Sequence, residues 1–161
     1  LESLRKLSRA VEQSPDSIVI TDRNGNIEYV NPTFEKITGY TKAEAIGKNP
    51  RILQSGKTPL LVYKEMWEAL LAGHTWHGEL LNKKKDGSFY WENATFSPVF
   101  DDAGSITHFL AIKKGITKEK EIADKLAATE RQFQQVIQTI TSGITIHDSG
   151  GRIIAANPAA Q

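Results

Sequence analysis

The pattern of apolar and polar residues predicts three antiparallel strands between Trp76 and Thr117. Asp86-Gly87 separates the first two β-prone runs, and both residue types tolerate the positive φ that a primed hairpin turn needs. A second, longer turn ends at Gly104. A meander of this kind can bury one face of its sheet while the other remains in water.

Two further strands and several short helices are predicted before this meander. A hairpin of residues 17–22 and 27–30 comes first. Thr41 is the expected N-cap of a short helix, and Glu44 three residues later completes a capping box. A longer helix begins after Pro59 and leads into the meander. The predicted fold class is therefore α+β, with two strands, then helices, then three strands.

The two ends of this unit carry helical patterns. Residues 1–14 form a short amphipathic helix, which serves either as a lid on the core or as a dimerisation helix, two interpretations of equal weight. Residues 118–140 contain no glycine or proline. Their apolar positions follow the alternating spacing of a coiled-coil seam, with Thr129 in the one gap; they are Ile122, Leu126, Phe133, Val136 and Ile140. The alternative is an amphipathic helix packed on its own domain.

The chain also contains an internal repeat. Residues 18–32 align without gaps with residues 144–158, and the aspartate, a glycine, an isoleucine and the Asn-Pro pair all coincide. The domains predicted from this pattern are an N-terminal helix (1–14), a first domain (15–117), a linker helix (118–140) and the start of a truncated second copy (141–161). Because the chain begins at Leu1, we expect it to be a segment of a longer protein.

Composition excludes several classes of protein. The formal net charge of +1 gives no electrostatic case for nucleic acid or a membrane surface as the main partner. No cysteine is present, which excludes disulfides, thiolate metal sites and cysteine nucleophiles. We find no apolar run of membrane-spanning length, no phosphate-binding loop and no catalytic motif. The prediction is a cytoplasmic, non-enzymatic module.

The order of motifs resembles that of PAS domains. The resemblance covers residues 10–117 and rests on Tyr29-Val30-Asn31-Pro32, on Thr38-Gly39-Tyr40, on residues 82–87 and on Ser97-Pro98-Val99. It implies a five-stranded antiparallel sheet with short helices over one face enclosing a ligand pocket, followed by the long linker helix. Gly115-Ile116-Thr117 is similar to the Asp-Ile-Thr junction that ends many members, with glycine in place of the aspartate.

Within this family the chain resembles flavin-binding members. Residues 49–54 are similar to the Asn-Cys-Arg-Phe-Leu-Gln motif of LOV photoreceptors, but Pro50 stands in place of the photoreactive cysteine, which excludes thiol-adduct photochemistry. Residues 53–59, together with Tyr63, Trp67, Trp76 and Asn82, resemble the FAD-binding redox-sensing domains of the NifL, Aer and MmoS type. The resemblance implies non-covalent FAD, with FMN as the second choice, and a redox or oxygen signal passed to an output domain.

The predicted cofactor-binding residues are Asn49, Arg51, Gln54, Trp76, Asn82, Glu92 and Lys113. A flavin pyrimidine edge offers carbonyl acceptors and an N–H donor, so it requires polar side chains on strands that face the pocket. By the resemblance, Glu92 and Lys113 occupy LOV positions that carry Asn and Gln. Residues 49, 51 and 54 would meet the ribityl and phosphate groups, where arginine suits bidentate contact, and Trp76 would form an aromatic wall.

Each assignment has an alternative. Glu92 and Lys113 could instead form a buried ion pair in an empty domain, Arg51 could be a solvated loop residue, and Trp76 and Trp67 could be core aromatics. The main alternative function is a ligand-free PAS dimer that relays a signal. Haem is a weaker alternative, since haem-binding members use an axial histidine; the candidates are His74, His77 and His108. We expect a homodimer formed by the N-terminal helix, the outer sheet face and the linker helix.

Overall fold

The computed structural model describes residues 1–140 and 142–160. The described chain divides into two units, residues 1–117 and 118–161. In the first unit the secondary-structure elements in chain order are α1 (Glu2–Glu12), β1 (Ser17–Asp22), β2 (Ile27–Val30), α2 (Pro32–Thr38), α3 (Lys42–Ala45), a 3-10 turn (Pro50–Leu53), α4 (Leu60–Leu71), β3 (Trp76–Lys83), β4 (Phe89–Phe100) and β5 (Ile106–Gly115).

The five strands form one antiparallel sheet in the order β2-β1-β5-β4-β3, so the predicted meander and the predicted hairpin join through the β1–β5 pair. The predicted five-stranded antiparallel sheet with short helices is confirmed. Since side chains alternate across a strand, residues at every second position of β3, β4 and β5 face the helices. This inner face covers the core, which includes Val19, Val30, Phe34, Leu53 and Ala111.

Local sequence explains most element boundaries. Asn31 caps α2 by accepting a hydrogen bond from the Phe34 N–H, and Gly39 ends that helix with φ +79°. The predicted capping box at Thr41 and Glu44 is present, with the hydroxyl and the carboxylate each accepting a backbone N–H. The Lys85 ammonium and these capping hydrogen bonds hold the pKa of Glu44 below its ordinary value.

The hairpin at Asp86-Gly87 forms, but the predicted primed turn is wrong. The loop between β3 and β4 spans residues 84–88, and within it only Gly87 has a positive φ. The Asp86 carboxylate instead accepts hydrogen bonds from the N–H and the hydroxyl of Ser88. These bonds lower the pKa of Asp86 and fix a longer loop, which needs only one residue in the left-handed region.

The second unit contains α5 (Thr117–Thr139), β6 (Thr145–His147), β7 (Ile153–Ala156) and a 3-10 turn (Pro158–Ala160). Its hairpin reproduces β1 and β2 with an offset of 126 residues: Val19↔Val30 corresponds to Thr145↔Ala156, and the irregularity falls at the equivalent place. The buried Asn157 side chain accepts a hydrogen bond from the Ile144 N–H, just as the Asn31 side chain accepts one from the Ile18 N–H. The repeat in the sequence is therefore also a repeat of backbone geometry.

The exposed face of α5 carries the apolar residues of the predicted seam. Ile122, Leu126, Phe133 and Val136 are each more than half exposed, whereas Ile137 is buried. An exposed apolar stripe of this length is typical of a helix that packs against a partner.

Candidate functional site

A mostly apolar cavity lies between the inner face of the sheet and the helical layer. It encloses about 80 Å³, or about 720 Å³ when the solvent-open mouth is included. The apolar part of its wall comes from the sheet and from α4 and comprises Val19, Met66, Leu70, Leu80, Phe96, Phe109 and Ala111. The polar part comprises Thr21, Asn49, Arg51, Gln54, Asn82 and Lys113.

Three polar side chains form a buried cluster on the inner face. Glu92 on β4 lies diagonally between Asn82 on β3 and Lys113 on β5, and all three are 2–3 % exposed. The Asn82 amide donates to Glu92 Oε1 over 2.6 Å, and the Lys113 Nζ atom lies 3.1 Å from the same oxygen. Charges this deeply buried are tolerated only when they are paired and hydrogen-bonded. The buried ion pair between Glu92 and Lys113, which the sequence left open as the alternative to cofactor contact, is therefore present in the structure.

The cluster is asymmetric with respect to the cavity. Lys113 and Asn82 line it, whereas Glu92 lies outside its lining. An ammonium group has three donor hydrogens, and Glu92 is the only carboxylate paired with Lys113 in the described part of the chain. The Lys113 Nζ atom also lies 5.5 Å from the centroid of the Phe96 ring. The cavity wall therefore presents an ammonium with spare donor capacity.

Two tyrosine hydroxyls near the cavity are buried without a hydrogen-bond partner among the described residues. They belong to Tyr63, which lines the cavity, and to Tyr90 on the inner face of β4. An unsatisfied buried hydroxyl costs about 1–3 kcal/mol. Burial raises the pKa of Tyr90 and the negative charge of Glu92 raises it further, while the neighbouring Asn82 side chain lowers it. The unpartnered Tyr63 hydroxyl marks a place where a bound molecule could supply the missing partner.

The mouth of the cavity is held by the loop of residues 49–58. The Asn49 side chain accepts a hydrogen bond from the Arg51 N–H and so starts the 3-10 turn. The Thr58 hydroxyl accepts a hydrogen bond from the Leu81 N–H over 3.1 Å and donates one to the Leu81 carbonyl over 3.2 Å. Gln54 forms a backbone bridge with Asn82. These contacts fix the mouth loop against strand β3, beside the polar cluster.

Gly25 also lines the cavity and lies against Asn49 of the mouth loop. Its φ of +84° strongly favours glycine, and a Cβ at this position would lie 2.9 Å from the Asn49 side-chain nitrogen. Trp67 on α4 also lines the mouth, is 37 % exposed, and packs its ring edge-on against Phe109 at 5.4 Å. The sequence placed Trp67 in the FAD-domain resemblance but favoured a core position for it and did not include it among the cofactor-binding residues. Its spacing of four residues from Tyr63, which places both on one helix face, was the signal for a cavity position.

Five of the seven predicted site residues line the cavity: Asn49, Arg51, Gln54, Asn82 and Lys113. Glu92 contacts two of them from behind. Trp76 lies outside the lining and packs on Phe96, with ring centroids 5.8 Å apart. The three histidines considered as haem ligands are also absent from the lining, and His108 instead lies 3.1 Å from Glu28.

The polar cluster lies close to the junction between the sheet and α5. Trp91, which precedes Glu92, donates its N–H to the Thr117 hydroxyl over 2.8 Å and accepts the Ile116 N–H over 2.9 Å. Thr117 is the first residue of α5. The Thr117 hydroxyl therefore holds the last residue of the first unit against strand β4.

Residues 1–140 and 142–160 provide neither a metal centre nor a membrane-spanning helix. No grouping of three or more histidines and acidic residues is arranged to hold a metal ion there. Among the helices of the same residues, none combines the length and the apolar character needed to cross a membrane.

Comparison with known proteins identifies the family. The profile described as PAS fold matches residues 5–114, and a second one described as PAS domain matches residues 131–161. The chain therefore belongs to the PAS family, whose members act as sensory domains in regulatory and signalling proteins, and the predicted resemblance is confirmed.

Individual relatives agree with this placement. The chain is 34% identical over 147 residues to a nitrogen fixation regulatory protein of Klebsiella oxytoca, covering 91% of this chain and 30% of the relative. A solved RNA-binding light-oxygen-voltage receptor superposes with a TM-score of 0.71 at 27% identity, over 80% of this chain and 37% of the receptor. A light-oxygen-voltage domain studied with a flavin analogue superposes with a TM-score of 0.65 at 26% identity, over 79% of this chain and 96% of that domain.

Proposed function

We propose that the first unit is a sensory input module that binds a flavin non-covalently and responds to redox state or oxygen. FAD is the first choice and FMN the second. The module passes its signal through α5 to an output domain outside this chain, and enzymatic activity, where present, belongs to that output. In this proposal residues 1–14 are an N-terminal helix, 15–117 the sensor, 118–140 the linker and 141–161 the beginning of a second PAS domain.

The observation that carries the proposal is the buried Asn82–Glu92–Lys113 cluster at the wall of an otherwise apolar cavity. A flavin has an apolar ring system with one polar edge of carbonyl acceptors and an N–H donor. The cavity offers the matching pattern, with apolar walls, amide and ammonium donors, and the unpartnered Tyr63 hydroxyl. Bound flavin would supply reversible electron transfer, which the side chains of this chain lack.

Each side chain has a distinct proposed role. Asn82 and Lys113 bind the polar edge, and Glu92 positions both of them. At the mouth, Asn49, Arg51 and Gln54 bind the ribityl and phosphate groups, with the Arg51 guanidinium suited to phosphate oxygens. Trp76 acts indirectly by packing on Phe96 in the cavity wall. Because the chain has no cysteine, a thiol adduct of the light-oxygen-voltage kind is excluded.

The volume of the cavity supports a second candidate function. Pockets for drug-sized ligands typically measure about 300–1,000 Å³, and the enclosed part of this cavity measures about 80 Å³. A flavin ring therefore requires side chains at the mouth, including half-exposed Trp67, to move outward. Without such movement the domain would serve as a ligand-free dimerisation and relay module.

The signalling route in this proposal begins at the polar cluster. A change in hydrogen bonding at Glu92 acts on the neighbouring Trp91, whose backbone holds the Thr117 hydroxyl at the start of α5. A homodimer formed by α1, the outer sheet face and α5 would transmit the change. Within α1 no residue is buried, and Leu4 and Leu7 are each about two-thirds exposed, which leaves an apolar surface for a second copy.

The proposal is tested by titrating the 161-residue chain with FAD and with FMN and following the quenching of flavin fluorescence. We expect saturable binding, tighter for FAD, and at least about tenfold weaker binding by Asn82→Leu, because a leucine leaves the polar edge unpaired. Asn93→Leu is the matched control, since Asn93 is exposed on the opposite face of the neighbouring strand. Failure of the wild-type chain to bind either flavin would favour the relay module.

A further inference from the structure

The buried ion pair of the inner face has a defined orientation. Lys113 lines the cavity and Glu92 does not, so the positive end of the pair faces the space where a ligand binds. Asn82 donates to the same carboxylate oxygen that Lys113 contacts, which holds Glu92 on the side away from the cavity. The pair is therefore a fixed dipole aimed at the cavity.

Stability alone is a weak explanation for such a pair. Removing two charges from water is costly, and well-packed apolar residues of similar size are often as good or better in a protein core. Lys113 is buried among small and apolar residues, because it pairs across the sheet with Ala94 on one side and Ser17 on the other, and Phe96 and Ala111 follow on the same face. A positive charge in a region of low dielectric acts strongly on any charge that appears nearby.

We propose that the Glu92–Lys113 pair biases the cavity toward a negatively charged form of its ligand, with Lys113 as the contact residue and Glu92 as the positioning residue that limits the effect. This inference rests on the proposed flavin function and deepens it by assigning a control of redox potential. When a bound flavin takes up two electrons from an external low-potential donor, uptake of one proton leaves it with one added negative charge. Uptake of two protons leaves it neutral.

The dipole therefore makes reduction with one proton more favourable and raises the midpoint potential of the bound flavin. The two members of the pair act with opposite sign. Glu92→Gln removes the negative partner and increases the bias, whereas Lys113→Gln leaves a negative charge behind the cavity and reverses it. The double variant Glu92→Gln/Lys113→Gln removes the dipole altogether.

The test measures the dissociation constants of FAD oxidised and of FAD reduced by dithionite under anaerobic conditions, for the 161-residue chain and its variants. Their ratio gives the shift of midpoint potential caused by the protein. We expect the preference for reduced FAD to decrease in the order Glu92→Gln, wild type, double variant, Lys113→Gln. Steps of about tenfold would correspond to about 30 mV each for a two-electron couple. Lys114→Gln is the matched control, because Lys114 is exposed on the opposite face.

The outcomes separate the two hypotheses. Binding of FAD with the same ratio in wild type and double variant would overturn this inference and leave the proposed function intact. No binding of either form by the wild type would overturn the proposed function and this inference with it. Where a single variant fails to fold by circular dichroism, the comparison of wild type with the charge-neutral double variant still decides, since a purely structural pair predicts no difference in ratio.

Discussion

Each face of the sheet departs from the usual pattern at a few positions, and the two faces depart in opposite ways. On the inner face, Glu92 and Lys113 are charged and buried, with 2 and 3 % of their surface exposed. On the outer face Ile112 is 38 % exposed, and Trp91, which lies between Tyr90 and Glu92 on β4, is only half-buried. An antiparallel sheet with one wet face ordinarily has apolar residues inside and polar residues outside. Departures from such local rules are expected at functional sites.

The difference indicates two separate uses for the two faces. In the proposed function, the polar groups inside the fold serve a bound molecule, because water cannot satisfy them there. The apolar groups outside would serve the proposed dimer surface, because a lone folded chain gains little from exposing them.

The largest expected effect comes from breaking the inner ion pair. Lys113→Met leaves Glu92 buried without its cation, which typically costs about 3–5 kcal/mol in the free energy of unfolding. The double variant Glu92→Leu/Lys113→Met should recover most of this loss, since it replaces the pair with apolar volume. Urea denaturation of both variants measures the difference. A loss below about 1 kcal/mol for Lys113→Met, with Lys114→Met as the exposed control, would contradict a tightly coupled pair.

The second prediction concerns the outer face. Ile112→Glu places a charge in the apolar surface and should dissociate the proposed dimer while changing the free energy of unfolding of the monomer by only about 0.5 kcal/mol, because the site is exposed. Sedimentation equilibrium measures the molecular mass. Leu71→Glu, at a 68 % exposed position on α4, is the control that should remain dimeric. A dimer that survives Ile112→Glu would exclude this face as the interface.

The third prediction concerns the junction between strand β4 and the first residue of α5. Thr117→Val removes the acceptor for the Trp91 N–H and should destabilise the junction by about 1 kcal/mol. Amide hydrogen exchange at Trp91 and in the first turn of α5 should become faster, while exchange in β1 stays unchanged. Thr129→Val is the matched control within the same helix, since the Thr129 hydroxyl bonds only the Lys125 carbonyl one turn earlier. Unchanged exchange at Trp91 would show that the Thr117 hydroxyl does not protect the Trp91 N–H.

The smallest expected effect is a pH dependence at the outer edge. The Tyr29 hydroxyl donates to the Glu12 carboxylate over 2.6 Å, and burial together with this contact raises the pKa of Tyr29 to about 12. Because the folded state favours the protonated phenol, its contribution is complete below about pH 10, the ordinary pKa of tyrosine, and is lost as pH rises toward 12. The pKa of buried Tyr90 is raised as well, so Tyr29→Phe is used to assign the signal of Tyr29. Ultraviolet titration of tyrosinate should then show Tyr29 ionising late, and Glu12→Gln should lower its pKa. A titration of Tyr29 near pH 10 would contradict the contact.

Much of the fold could be predicted because local signals and global topology agree. The capping box at Thr41 and Glu44 and the helix-ending Gly39 are properties of a few neighbouring residues, and all appear in the structure. The turn at Asp86-Gly87 was predicted less well. The Ser88 hydroxyl and N–H both donate to the Asp86 carboxylate, and these two hydrogen bonds, rather than the Asp-Gly pair, set the loop length.

In the candidate site, too, the features that depend on neighbouring residues were predicted better than those that depend on packing between elements. The alternation of side chains along β4 and β5 was enough to place Glu92 and Lys113 on one face, since that alternation has a fixed period. Which of them reaches the cavity depends on the diagonal register among three strands, and that information is not local. Trp67 was left out of the predicted site for a similar reason, because its position depends on how α4 lies against Phe109.

The most direct test of the account is the visible absorption spectrum of the freshly purified chain after addition of FAD and removal of the unbound excess. Non-covalent flavin binding predicts retained flavin bands in the blue that bleach with dithionite and return in air. Asn82→Leu should retain far less colour at equal protein concentration. A colourless wild-type protein that is folded and dimeric would contradict the flavin function and leave the ligand-free relay as the better explanation.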